Sequence, residues 1–480
     1  IRQSVNYFQY RMNPRTSAAT LAALALALGQ SAAETPPAPT TWKTAALSGK
    51  TTSSDWWLLF KDPQLSSYIA EAATSFPGIK AQLARIEKAR AAVAIARSAW
   101  FPRLDSRGAA SRDHYSSNTL FALPGSNTFS AGVDLSYELD VWGRVRSNVQ
   151  AARAQTQSAE ADAQAIRLML GSEVARVYFA LRSIDEERQL LQDTLKLRKE
   201  ALEYATARVD AGAANELDRV RAEAELAGTE AEIAALAGPR AELENALALT
   251  LGRVASGFRV PVKTLPGSIP PVPNVVPGEL VQRRPDVASA LRLVDAAQAS
   301  IGVAKADFFP RVSLGASTGL TSAEVGDLID KDSNEWSIGI RFSWPIFVAG
   351  ARKAAVASAN ATLSEARSAY EERVLTAFQE VESLLATLKA QRTQETSQKR
   401  LASAAASAST LARQRYKEGV TTYLEVIEAE RTELTARRSL VQLRGQQLVT
   451  TVQLIKALGG GWDASTSSQT TTLTPTASSK

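Results

Sequence analysis

One pattern occurs twice along the 480-residue chain at a nearly constant spacing. Trp100-Phe101-Pro102-Arg103-Leu104 returns as Phe308-Phe309-Pro310-Arg311-Val312, 208 residues later. Residues 135–143 return as 342–350 and residues 208–217 as 415–424, so that Gly143 matches Gly350 and Gly212 matches Gly419, both 207 residues apart. Upstream, Leu83, Ile86, Ile95 and Ala96 match Leu291, Val294, Val303 and Ala304. Landmarks in one order at one spacing mark an internal duplication. The period is far longer than a solenoid repeat of about 20–45 residues. Each half is therefore a full structural unit, and the chain must build that unit twice.

Each half carries the same elements. An amphipathic helix (79–99 and 285–307) ends at a Phe-Pro, because proline lacks an amide donor and disfavours helix in the residue before it. Two stretches with strand character follow, 104–117 and 128–139 in the first half, 312–322 and 335–347 in the second. Ala131, Val133, Leu135, Tyr137 and Leu139 alternate with polar residues or glycine, as do Ile338, Ile340, Phe342 and Trp344, the period-2 signature of a strand with one apolar face. A long helix comes next. Leu170, Val174, Val177, Leu181, Ile184, Leu191, Leu195, Leu202 and Val209 fall at steps of three, four or seven. In the return helix of the second half Ile427, Leu434, Val441, Leu448 and Ile455 fall at steps of seven. Both are coiled-coil seams. Residues 146–211 contain no proline and only Gly171, and 352–418 contain neither, so each helix reaches roughly 100 Å at its ordinary rise. Gly212 and Gly419 suit helix C-terminal caps. Return helices are expected over 215–251 and 422–458, with a break at Gly238-Pro239 in the first half only.

The expected segmentation is upstream residues and a signal peptide over 1–33, an extended segment 34–60, first-repeat helices 61–103, a β hairpin 104–141 and a helical hairpin 142–251. A Pro/Gly-rich connector, 252–277, leads to the second repeat: helices 278–311, hairpin 312–348 and helical hairpin 349–459, then a disordered tail, 460–480. The export signal rests on Met12 as initiator, Arg15, the apolar run 18–28 and the small residues Ser31-Ala32-Ala33. That run is shorter than the roughly 20 residues a helix needs to span a bilayer, and no later stretch is expected to suffice. An exported chain embedded in a membrane then requires a β-barrel. Four strands cannot close one, since the smallest membrane barrels have about eight. Three chains supply twelve. The expected fold class is thus membrane α+β: a trimeric twelve-stranded barrel, four strands per chain, continuing into a long α-helical coiled-coil barrel. Tyr137, Trp142, Trp336 and Trp344 near strand ends fit an interfacial aromatic girdle.

Several motifs now carry a resemblance. Arg283-Arg284-Pro285-Asp286, Ile301-Gly302-Val303-Ala304, Phe308-Phe309-Pro310, residues 138–144 and Arg415-Tyr416-Lys417-Glu418-Gly419 resemble the outer-membrane efflux protein family (TolC-like), in the branch serving RND-type pumps. The resemblance implies a homotrimer in outer-membrane lipid with a large periplasmic extension, a periplasmic adaptor protein and an inner-membrane RND-type pump as partners, and passive conduction of drugs, toxic compounds or metal ions. Two alternatives remain open: an outer-membrane duct for type I protein secretion, and a coiled-coil scaffold without a pore. Many members of this branch carry a lipid-modified cysteine. The chain has none, so a lipid anchor is not expected, and neither are disulfides or thiolate metal sites.

Little in the sequence points to chemistry. Gly315-Ala316-Ser317-Thr318-Gly319 fits a serine-hydrolase elbow, but that elbow needs a strand–turn–helix and a histidine partner. His114 is the only histidine and lies near a hairpin loop. Asp330-Lys331-Asp332-Ser333-Asn334 starts like a calcium loop but has Glu335 where the glycine belongs. The net charge of +6 is spread without a basic block. No enzyme, cofactor, metal site or nucleic-acid partner is expected. The candidate functional residues sit at the helical tips: Arg208, Asp210, Gly212, Glu216 and Asp218 in one half, Arg415, Glu418, Gly419 and Glu425 in the other. The resemblance implies that the closed entrance lies here, although this chain has Thr421-Thr422-Tyr423 where some relatives place an aspartate. Under threefold symmetry an acid facing the axis becomes a ring, which selects for cations. Asp218 and Glu425 occupy matching positions, with Arg208 and Arg415 as their expected ionic partners.

Overall fold

The computed structural model describes residues 41–43, 55–116, 118, 125–272 and 276–460. The export signal at 1–33 and the tail after 460 lie outside the described residues. After a 3-10 turn (Trp56–Phe60) come α1 (Pro63–Ser75) and α2 (Pro77–Ser98), then β1 (Arg103–Asp113), β2 (Ser126–Leu139) and the 67-residue α3 (Arg144–Asp210). The chain returns through α4 (Glu216–Ala235) and α5 (Ala237–Thr250). The second half supplies α6 (Pro277–Arg283), α7 (Pro285–Ala306), β3 (Arg311–Ser322), β4 (Asn334–Ser343), α8 (Ala351–Lys417, again 67 residues) and α9 (Tyr423–Ala457). The break expected near Gly238-Pro239 falls at Leu236, placing Pro239 in the first turn of α5, where a missing amide costs nothing.

Two expectations need correction. β4 stops at Ser343 rather than continuing to 347, because Pro345 has no amide for a ladder. In addition, α7 is long and apolar enough, by length and composition, to cross a bilayer. It packs between α3 and α8, with Val287, Val294 and Ile301 buried and Ser289 Oγ 2.8 Å from Ser158 Oγ of α3. That is the environment of a core helix.

The four strands form one antiparallel sheet in the order β1-β2-β3-β4. The halves meet in the middle, where Leu139 faces Val312 and Phe129 faces Ser322. Directly opposed residues share a face, and the registers sort the faces by polarity. Trp336, Ile338, Ile340 and Phe342, each 61–75% exposed, line one face with Val312, Leu314, Leu135, Tyr137 and Leu104. Arg107, Asp134, Ser317, Glu335 and Arg341 lie on the other.

The main core surrounds the middle of α3. Leu170, Val174, Val177, Tyr178, Phe179 and Leu181 are buried against α1, α5, α9 and the segment after α5. A polar knot lies beside it. Tyr178 Oη donates to Asp62 Oδ2 at 2.6 Å, and Lys263 Nζ to the same oxygen at 3.2 Å. Asp62 also caps α1 through Gln64 N at 3.0 Å. Burial alone would raise the Asp62 pKa, but these donors outweigh it and hold the carboxyl below its ordinary value. Arg182 is 1% exposed and donates to Asp185, the Pro261 carbonyl, Gln64 and Tyr178. Arg240 closes the knot on Asp185 at 2.7 Å.

Leu181 is fully buried at the centre of this packing. Leu181→Ala is expected to cost about 2–5 kcal/mol, visible as a lowered melting temperature of the helical circular-dichroism signal. An unchanged melting temperature would show that this core does not carry stability.

Candidate functional site

Both helical hairpins reverse in the same way. Gly212 (φ 68°) and Gly419 (φ 75°) lie in the left-handed region. Gly212 N donates to Val209 O and Ala213 N to Arg208 O; Gly419 N donates to Tyr416 O and Val420 N to Arg415 O. This is the paired 5→2 and 6→1 bonding of a Schellman cap, which satisfies the last carbonyls of each long helix and needs glycine at the turn. The duplication is thus reproduced down to the tip backbone.

The side chains at the tips differ between the halves. Arg208, expected to pair with an acid, instead lies over the rings of Tyr416 (4.9 Å to the centroid) and Tyr204 (6.0 Å). It donates to the Tyr416 carbonyl at 3.4 Å and to the Ala213 carbonyl at 3.1 Å. This ties the end of α3 to the end of α8. Arg415 is exposed and, among the described residues, has no acid in ion-pair reach. Asp218 is half-buried, with Arg221 at 3.9 Å. It lies close enough to Tyr416 to join burial in raising that phenol's pKa. Glu425 is exposed in the first turn of α9, where a carboxylate suits the helix dipole. Asp210 is the exposed last residue of α3, and Glu418 accepts a hydrogen bond from Gln414 at 3.0 Å. Glu216 pairs with Arg219.

Sequence reading missed the tyrosines. Tyr416 and Tyr423 are buried with Ala205, Ala222, Val426 and Ile427 in a small cluster behind the tip, their rings 5.3 Å apart. The duplication hides them, because the matching positions in the first half are Val209 and Glu216.

The Arg-Arg-Pro-Asp motif forms a latch far from the tip. The buried Arg284 guanidinium grips Asp286 with two hydrogen bonds (3.0 and 2.8 Å), Glu380 of α8 at 2.7 Å and the Ala457 carbonyl at 3.2 Å. It therefore joins the start of α7, the middle of α8 and the end of α9, placing its cation on the carbonyl end of α9 and Asp286 on the amide end of α7, as both helix dipoles favour. Pro285 starts α7, and Arg283 pairs with Glu279 at 3.0 Å. In the Phe-Phe-Pro motif, Phe309 stacks on Trp142 (4.5 Å between centroids). Trp142 Nε1 donates to Pro310 O at 2.9 Å and Trp344 Nε1 to Phe308 O at 3.1 Å. These two tryptophans pin the turn from α7 into the sheet.

The family described as outer membrane efflux protein matches twice, over residues 68–253 and 276–460, one match per half. The chain is 30% identical over 411 residues to the probable outer membrane lipoprotein SilC of Salmonella typhimurium, covering 85% of this chain and 88% of the relative. It is 32% identical over 416 residues to outer membrane protein OprJ of Pseudomonas aeruginosa, covering 85% and 86%. Among solved structures, the outer-membrane channel OprN superposes with a TM-score of 0.82 at 30% identity, covering 90% of this chain and all of the other.

The latch predicts an acid sensitivity. Burial raises the Asp286 pKa, the Arg284 hydrogen bonds lower it, and the net position is below the ordinary carboxylate value of 3.8. A carboxyl lowered on folding contributes its full stability above the unfolded value, and that stability is lost as pH falls through the folded value. Asp286→Asn should therefore melt below the parent at pH 6, and the gap should begin to narrow below about pH 4 and close as pH falls through the lowered folded value. A gap independent of pH would remove Asp286 ionisation from the latch.

Proposed function

Because the chain belongs to the outer membrane efflux protein family and is an outer-membrane efflux channel, we propose that three copies close one twelve-stranded barrel. The observation that carries this reading is the sheet itself: among the described residues it has four strands, two open edges and one apolar face. An edge strand in lipid leaves a row of amides and carbonyls without partners, and pairing β4 of one copy with β1 of the next removes both edges. The duplication supplies the register. Asp134 of β2 faces Ser317 of β3. Moving Asp134 forward by 207 and Ser317 back by 208, the offsets of the repeat, puts Arg341 opposite Ala109 of the neighbouring copy. The apolar face then meets lipid and the polar face lines the lumen.

The paired helices of three copies extend the duct into the periplasm, where their tips meet an adaptor and, through it, an inner-membrane RND-type pump. The pump does the work and selects the cargo; the duct conducts small molecules passively. At rest the tip is held shut by packing rather than by chemistry. Arg208 fastens α3 to the Tyr416 end of α8, and opening moves the hairpins outward. Asp218 and Glu425 from three copies contribute six carboxylates around the axis, which recruit cations to the entrance.

Two measurements test this. A short bifunctional thiol reagent should join Arg341→Cys to Ala109→Cys into covalent trimers in outer-membrane vesicles; products no larger than a monomer would sink the barrel reading. Arg208→Ala should raise single-channel conductance in planar bilayers several-fold, as the loss of a tip contact predicts for a gate held by packing. Parent-like conductance would place the gate elsewhere.

A further inference from the structure

On the polar face one row of residues runs across all four strands. Arg107 of β1 faces Gly132 of β2, Gly132 faces Gly319 of β3, and Gly319 faces Glu335 of β4. The two central positions carry no side chain, and Arg107 reaches across the gap. Its Nη1 donates to Asp134 Oδ1 at 2.7 Å and its Nη2 to Glu335 Oε1 at 2.9 Å. An arginine on one edge strand is thus held by an acid on the opposite edge strand. The glycines make this possible. A Cβ on Gly132 would fall 2.7 Å from the Thr318 carbonyl oxygen and 3.4 Å from Arg107 Nε, and one on Gly319 would fall 2.7 Å from the Ala131 carbonyl oxygen. No larger residue fits between those strands without displacing backbone.

The three charged side chains are 39–49% exposed, so they face solvent rather than a core. One cation against two carboxylates leaves a net charge of −1 at this level of each chain. Of the other charges on this face, Asp105 opposes Asp134 but is bound by Arg103, and Asp113, Glu138 with Arg144, Arg311 with Asp307, and Arg341 lie in further rows.

We propose that Arg107, Asp134 and Glu335 form a charge filter in the β-section of the pore, separate from the helical tip. Three copies place three such clusters, with three arginines and six carboxylates, around the lumen. The surplus of negative charge favours small cations over anions, because rings of fixed charge set permeation preference and lumen substitutions tune it. Arg107 sets the strength of the preference by offsetting half of the carboxylate charge. The proposal rests on the reading that the polar face lines the lumen.

The test measures reversal potentials of trimers in planar bilayers under a KCl gradient, with the tip acids neutralised by Asp218→Asn and Glu425→Gln. Arg107→Gln should raise the cation-to-anion permeability ratio about twofold or more. Asp134→Asn with Glu335→Gln should lower it, and Arg107→Lys should keep the parent ratio. A separate arm labels Ser317→Cys, on the same face, with a charged methanethiosulfonate; the chain has no other cysteine to react. If the label alters conductance while Arg107→Gln leaves the ratio unchanged, the filter is overturned and the lumen assignment stands. If neither changes, the lumen assignment falls and the filter with it.

Discussion

The sheet ends in two unpaired edges, and much of the molecule follows from that. β1 and β4 have one neighbour each among the described residues, so the backbone donors and acceptors on their outer sides have no strand partner there. β4 combines this edge with a row of exposed Trp, Ile and Phe. In water such a strand would template aggregation, and in lipid its bare polar groups would cost several kcal/mol each. Only closure by further strands resolves both problems. The duplication makes closure possible by repetition, since the β2–β3 seam inside the chain already shows how the second strand of one hairpin pairs with the first strand of the next.

Below the sheet the demands differ. Two 67-residue helices leave the sheet junction and must hold their direction over a long distance. Two buried arginines fix them. Arg182 binds the middle of α3 to the start of α1 and the segment after α5, and Arg284 binds α7, α8 and the end of α9. Removing one partner from a buried pair of this kind typically costs about 3–5 kcal/mol, because the other charge is left without compensation. Nearer the tip a third buried arginine, Arg198, binds Glu225 at 2.9 Å and Thr229 at 2.6 Å. The tip cluster is small, built from Ala205, Ala222, Tyr416, Tyr423, Val426 and Ile427, and Arg208 there is held by carbonyls and rings. Elements with few buried apolar contacts open at lower free energy than the core, and this is why the movable entrance is proposed at the tip rather than at the main core.

Helix extents, strand alternation, the Gly212 and Gly419 caps and the doubled plan were all legible in the sequence, because each is a local or periodic property. Spacing alone shows that Leu170, Val174, Val177 and Leu181 share a helix face, and they are buried together. The break in the first return helix was legible for the same reason, since proline and glycine act on their own backbone. The family, too, could be read from ordered local motifs.

Which side chains meet across the fold was decided only by tertiary structure. Nothing local in Arg208 says that it will choose the Tyr416 ring, 208 residues away, over Asp218. Arg284 gives no sign that it will reach the last turn of α9, nor Arg107 that two glycines on other strands will open its path to Glu335. The halves agree in backbone and differ in these contacts, because a duplicated chain repeats its periodicities while each copy packs against different neighbours. A charged side chain settles where its donors are best satisfied, and for these three arginines that place is created by segments between about 170 and 230 residues distant in sequence.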